Sequence, residues 1–239
     1  MCTLTFLPST KEKIFTFSRD EQNSRKNAVP KFHQIKNKNI FFPKDERKGG
    51  TWIATDAELF VCLLNAKHRD EISKSYQNSR GNVVLDRFQY DHNDLFFENL
   101  IVNDTAPFTL IIFNKKEEIL IEISWDGIEK TLRNLDLEHP KIWSSSTLYS
   151  KNVAEMRANW FQNFLNTTEN KPDDIWEFHQ KKHTENLEHN ILMKRNDDRE
   201  TTSISQLKFT NQVCSFRYLD LKNTTQKGEQ WNIQDLQLH

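Results

Sequence analysis

Three cysteines in 239 residues, Cys2, Cys62 and Cys214, are odd in number and far apart, which excludes a disulfide framework and the paired spacings of a zinc site. All three are expected to stay reduced. Charge of one sign is lacking too: 33 Lys and Arg stand against 34 Asp and Glu, and a net charge of −1 leaves no overall footprint for nucleic acid or an anionic membrane. No apolar run approaches the roughly 18 residues that cross a bilayer, and the basic start and apolar stretch of a secretory signal are missing, so a cytoplasmic protein is expected. On that expectation the Asn-x-Thr sequons at Asn103, Asn166 and Asn223 carry no weight. Internal repeats and long low-complexity linkers are absent as well, and residues 1–239 read as a single domain, in which the very polar RKNAVPKFHQIKNKN reads as a long surface loop.

What is present is aromatic mass. Hydrophobic residues make up only 36% of the chain, yet 17 Phe and 6 Trp supply large buried areas beneath a polar surface. Strand patterns cover Cys2 to Leu7, Ile14 to Arg19, Ile40 to Phe42, Thr51 to Thr55 and Leu59 to Asn65. LFVCLLN and FTLIIF are almost continuously apolar, as strands covered on both faces are. Between them come two helices, one after a Ser79 cap with Val84 and Phe88 four apart, one from about Asp91. A meander then runs through FTLIIF, EILIEISW and Gly127 to Leu132.

From Asn152, an expected cap, Val153, Met156, Trp160, Phe161 and Phe164 share one helical face, and Pro172 with Asp173 and Asp174 starts a further helix. Strands near Ile191 to Lys194, Thr202 to Phe209 and Val213 to Leu221 close the chain. Strands, two helices, strands, two helices, strands: this order predicts an α+β fold, a four-layer αββα sandwich with helices outside two packed sheets.

Cys2 follows Met1, and a small second residue is the usual condition for methionine removal. The exposed α-amine, with an ordinary pKa of about 7.7 to 8.0, can then act as general base for the adjacent thiol, so one residue supplies nucleophile and base. Strand alternation puts Cys2, Leu4 and Phe6 on one face. In KIFTFSRDE, Arg19 and Asp20 alternate, so both reach one site only if that strand ends or bulges there.

These residues resemble the NRDE family, also called the transport-and-Golgi-organisation-2 family, related to N-terminal-nucleophile (Ntn) hydrolases. MCTLTFLP is similar to the family's start, SRDEQNSRK to its Asn-Arg-Asp-Glu signature with Ser18 in place of Asn, FPKDERKGGTW to its Gly-Gly-Thr-Trp block, and VCLLN to its strand ending in asparagine. SRGNVV, PFTLIIF, KIWSSSTLYS and TTSISQ follow in family order. The resemblance implies the same αββα fold and assigns roles: Cys2 as nucleophile, Arg19 favouring the thiolate, Asp20 holding the α-amine, and Asn65 donating to an oxyanion. Gly50, Thr51 and Trp52 of the KGGTW turn, with Ser145 and Ser146, are the substrate-binding expectation.

Plainer readings compete. Arg19 and Asp20 also suit an exposed ion pair, Asn65 a strand end, and Cys62 and Cys214 inert core positions. His179 and His183 lie four apart, but without a third ligand they read as a solvated helix face, and no metal or cofactor is expected. Two functions follow from different classes: a cysteine-type Ntn hydrolase acting on a linear amide or other acyl bond, and a non-catalytic carrier or regulator binding a hydrophobic or haem-like metabolite. A third is a structural interaction module with a relict pocket.

Overall fold

The alternation in CTLTFLP and KIFTFSRDEQ sets up an antiparallel pair, β1 (Cys2–Pro8) and β2 (Lys13–Gln22), in which Cys2 lies opposite Arg19 and Thr3 opposite Ser18. The computed structural model describes residues 2–70, 75–147, 149–223 and 229–232. Its residues fall into two compact units, one made of the chain up to Asn27 and from Glu138 onward, the other of Ala28–Leu137.

The first unit holds a six-stranded sheet ordered β10-β1-β2-β11-β12-β13, with β10 (Lys141–Ser144), β11 (Arg199–Phe209), β12 (Cys214–Asp220) and β13 (Glu229–Asn232). Register puts Cys2, Leu4 and Phe6 on one face with Arg19, Phe17 and Phe15, and Ser203, Ser205 and Leu207 continue that face on β11. The stacked rings of Phe6 and Phe15, 4.8 Å apart, make it aromatic beyond the site. The opposite face carries Thr3, Thr5, Thr16 and Ser18, all fully buried, and then Leu7 and Ile14. Leu7 and Ile14 pack with Phe161 and Phe164 of α3 (Lys151–Thr167) and with Ile175 and Phe178 of α4 (Pro172–Phe178).

The second unit is a seven-stranded sheet in simple sequence order: β3 (Lys31–Ile35), β4 (Lys38–Phe42), β5 (Ile53–Thr55), β6 (Leu59–Asn65), β7 (Phe108–Asn114), β8 (Ile119–Trp125) and β9 (Lys130–Leu135). β6 is buried on both faces up to Leu64, as its continuous apolar run predicts. Val61, Leu63, Leu110 and Ile112 form an apolar core with Val84 and Phe88, which belong to or cap α1 (Arg80–Arg87), and with Phe96 of α2 (Asn93–Asn99).

Several expectations give way. The stretch read as a long loop contains β3 and the start of β4, which runs on into the strand expected at Ile40 to Phe42; the two form a hairpin joined at Ile35 and Lys38, with Lys36 at φ 52°, and bring together the Phe32–Phe41 and His33–Phe42 ring pairs. KIWS forms the edge strand β10. Ile191 to Lys194 forms no strand and contributes only a single bridge, Lys194 with Glu200. α3 starts earlier than expected, capped by Ser150, whose Oγ accepts from Val153 N–H at 3.4 Å. His179 is no solvated helix face. The helix ends at Phe178, and His179 is wholly buried against β1 and β2.

Candidate active site around Cys2

Cys2 begins β1 and is 4% exposed. Its carbonyl accepts from the Ser145 N–H at 2.9 Å, which fixes the strand start against the end of β10. Neighbouring β2 supplies Arg19 directly opposite and Asp20 one step beyond. Since β2 continues to Gln22, the expected break is not in β2 itself; it lies in the partner strand, where β11 shifts register between Thr201 and Ser203. That irregularity gives consecutive threonines to consecutive β2 residues. Thr201 Oγ1 donates to Asp20 Oδ1 at 2.7 Å, and Arg19 Nη1 donates to Thr202 Oγ1 at 3.2 Å.

Arg19 is further held by Asn27 Oδ1 at 3.2 Å and Glu21 Oε2 at 3.3 Å, and is 4% exposed, so it is not the exposed ion pair of the plainer reading. Asp20 is fully buried, and Tyr149 Oη donates to its Oδ2 at 2.6 Å. Burial pushes the Asp20 carboxyl up, while Arg157, Tyr149 and Thr201 pull it back toward the ionised form. Burial likewise pushes the Cys2 thiol up, assisted by the Asp20 charge and opposed by the Asp20 backbone. Tyr149 is raised well above its ordinary value by burial and by the Asp20 carboxylate, so it remains a phenol and a donor.

On the Cys2 face, Ser203, Ser205 and Tyr218 are buried, and their hydroxyls make no hydrogen bond of proper geometry with the described residues. Tyr218, pushed up to about 12 by burial, has the Ser203 hydroxyl as a neighbour that pulls it down. A buried donor left unmade costs roughly 1–3 kcal/mol, so this patch suits water or a ligand oxygen.

Behind the site, the His179 ring spans β1 and β2, with Nε2 2.9 Å from Thr5 Oγ1 and Nδ1 2.8 Å from Ser18 Oγ. Thr5 Oγ1 directs its proton to the Thr16 carbonyl at 3.4 Å, so Nε2–H donates to Thr5 and Nδ1 accepts from Ser18. Burial lowers His179 to about 3, with His183 and Arg157 adding to it, and keeps the ring neutral. The Ser18 hydroxyl is thus too short to reach far, but a histidine comes to it.

Of the expected site residues, the first unit gathers Cys2, Arg19, Asp20 and Ser145, while Ser146 is exposed on the turn beyond. The second unit holds the others. Thr51 is buried, its Oγ1 donating to the Pro43 carbonyl at 2.8 Å. Gly50 packs so tightly on Gly81 that a Cβ there would lie 2.5 Å from the Gly81 carbonyl carbon. Trp52, 7% exposed, accepts through its carbonyl from Leu63 N–H at 2.9 Å, two residues before the half-buried Asn65 at the end of β6. The residues missed from sequence are Tyr149, Arg157, His179 and Thr201. One signal was present for Arg157: it falls four residues after Val153 and four before Phe161, on the buried stripe of α3.

Among the described residues, no group of three or more His, Cys, Asp or Glu is arranged to hold a metal, and no helix is long and apolar enough to cross a membrane. Two solved structures are similar over almost the whole chain. The C2A mutant of conjugated bile acid hydrolase from Clostridium perfringens is 10% identical with a TM-score of 0.52, covering 97% of this chain and 93% of its own. Penicillin V acylase from Agrobacterium tumefaciens is 8% identical with a TM-score of 0.54, covering 98% and 86%. The fold is therefore α+β, of the sandwich class found in the Ntn hydrolases. Comparison with curated protein sequences gives no significant match. The family model Transport and Golgi organisation 2 (TANGO2) matches residues 1–208, and the chain belongs to that family.

Proposed function

We propose that this chain is a cysteine-type Ntn hydrolase that cleaves a linear amide or another acyl bond, with Cys2 as nucleophile once Met1 is removed. The observation that carries this reading is the buried Asp20 on the strand paired with that of Cys2, whose carboxylate is tied by Tyr149 and Thr201. The two fold neighbours, named as a hydrolase and an acylase, support acyl transfer as the class of reaction.

In this scheme Cys2 Sγ attacks the carbonyl carbon while its proton passes to the α-amine. Asp20 steadies the resulting ammonium by a charge-assisted hydrogen bond. Collapse of the tetrahedral adduct breaks the acyl bond, the leaving amine takes the proton, and a thioester remains. Water, deprotonated by the same amine, releases the acid. Arg19 favours the thiolate, and Ser145 fixes the Cys2 backbone. Asn65 enters through the family resemblance, as donor to the oxyanion, and Gly50, Thr51, Trp52 and Ser146 enter as substrate contacts on the same ground.

Intact mass establishes whether Met1 leaves, and an electrophilic acyl probe then reports the thiol. Cys2 is expected to label faster than Cys62 or Cys214, and Cys2→Ala to lose that labelling while folding normally. Equal labelling in the variant would remove the nucleophile. A second reading, a carrier, has one observation in its favour: burial holds the Cys2 thiol up, away from the reactive thiolate. A carrier keeps saturable binding of a hydrophobic metabolite in Cys2→Ala and turns over no acyl substrate.

A further inference from the structure

The stripe of α3 that packs on the first sheet is apolar except at Arg157, a wholly buried side chain with no carboxylate in salt-bridge contact among the described residues. An uncompensated buried guanidinium is expensive, so something must use it. Its fork is spent on oxygens. Nε donates to the His189 carbonyl at 2.9 Å, Nη2 to the Asn190 carbonyl, and Nη1 to Thr3 Oγ1 at 2.7 Å. Thr3 is the residue after Cys2. The guanidinium carbon lies 3.5 Å from the centre of the Tyr149 ring, close enough for a desolvated cation–π contact, and the hydroxyl of that ring donates to Asp20 at 2.6 Å. One cation on α3 therefore reaches both strands of the Cys2 site, β1 through Thr3 and β2 through Tyr149 and Asp20.

We propose that Tyr149 and Arg157 are positioning residues for Asp20: they hold its carboxylate ionised and fixed in orientation for the α-amine of Cys2. The inference rests on the hydrolase reading above. The groups that face Asp20 are Arg157 from α3, Tyr149 from the segment before α3, Cys2 from β1, and the neutral Thr201 from β11. His179, beside Arg157, stays neutral and adds no charge. Burial pushes Asp20 toward the protonated form, and a protonated acid cannot steady an ammonium. Tyr149 and Arg157 oppose that protonation from the side of the sheet that bears Thr3, leaving the Cys2 face to the substrate.

The test follows acetylation of Cys2 by p-nitrophenyl acetate in the full chain lacking Met1, mapped by peptide mass across about pH 4 to about pH 9. The Sγ–carbon bond forms, the ester C–O bond breaks, p-nitrophenolate leaves, and the thiol proton goes to the amine. Removing a donor to a carboxylate raises its pKa, so Tyr149→Phe, which deletes a single oxygen, is expected to move the acid limb of the rate profile up by about one pH unit or more. Arg157→Lys, which keeps the charge but loses the fork, is expected to move it less. Asp20→Asn is the reference, expected to slow acetylation and to shift that limb, leaving only the titration of the amine itself. If Asp20→Asn alters the profile while folded Tyr149→Phe keeps the wild-type one, the positioning proposal is overturned and the hydrolase reading stands. If Asp20→Asn itself leaves the profile unchanged, the role of Asp20 and the proposal fall together.

Discussion

The two sheets bury their surfaces in opposite ways. In the second unit, Val61, Leu63, Leu110 and Ile112 meet Val84, Phe88 and Phe96 in an apolar layer, and the buried Arg87 beside Phe96 is held by Asn93 Oδ1 and the Tyr90 carbonyl of the same helical region. In the first unit, the face toward α3 and α4 carries Thr3, Thr5, Thr16 and Ser18, and every one of those hydroxyls has a named partner: Arg157, His179, Gln206 and again His179. Such a layer contributes little net stability over an apolar one, and its cost rises steeply if a partner is lost. The first sheet thus carries a continuous group of partnered hydroxyls behind Cys2.

The difference can be broken from either side. The largest effect is expected in the apolar layer, where Phe96→Ala should cost about 3–5 kcal/mol in urea unfolding, through lost transfer energy and a cavity. Next comes the polar layer: His179→Leu leaves the Thr5 and Ser18 hydroxyls without partners and should cost about 1–3 kcal/mol, while adding Thr5→Val and Ser18→Ala should recover most of it. No recovery would mean that the histidine contributes by packing alone.

The same residue sets a pH window. His179 titrates at about 3 when folded against an ordinary 6.5, so between those values the unfolded chain binds the extra proton. Its contribution is complete above about pH 6.5 and is lost as pH falls toward 3, and the His179→Leu triple variant should show a flatter acid limb of stability. The smallest effect belongs to the exposed Lys151–Glu155 pair on α3, 3.9 Å apart, whose removal should change stability by less than about 0.5 kcal/mol.

The same contrast explains what could be read in advance. Apolar periodicity located β6, β7, β8 and the stripe of α3, because burial against hydrocarbon is written locally in the sequence. Cys2, Arg19 and Asp20 were legible as neighbours through strand pairing. Their supports were not, since Tyr149 reaches Asp20 across 129 positions, Thr201 across 181, and Arg157 reaches Thr3 across 154. A threonine in a strand or an arginine in a helix reads as surface until its distant partner is known. β10 was hidden for a related reason: four residues at a sheet edge, all half-buried, carry too short a pattern to separate from a loop. His179 was misread because its polarity suggested solvent, whereas its two ring nitrogens answer two buried hydroxyls.

The most direct measurement compares Cys2 acetylation by p-nitrophenyl acetate at neutral pH in two preparations, one beginning at Cys2 and one retaining Met1. With the α-amine acting as base, the chain beginning at Cys2 should react about 100-fold faster or more, the range of a positioned general base. Equal rates in the two preparations would contradict an N-terminal nucleophile at Cys2.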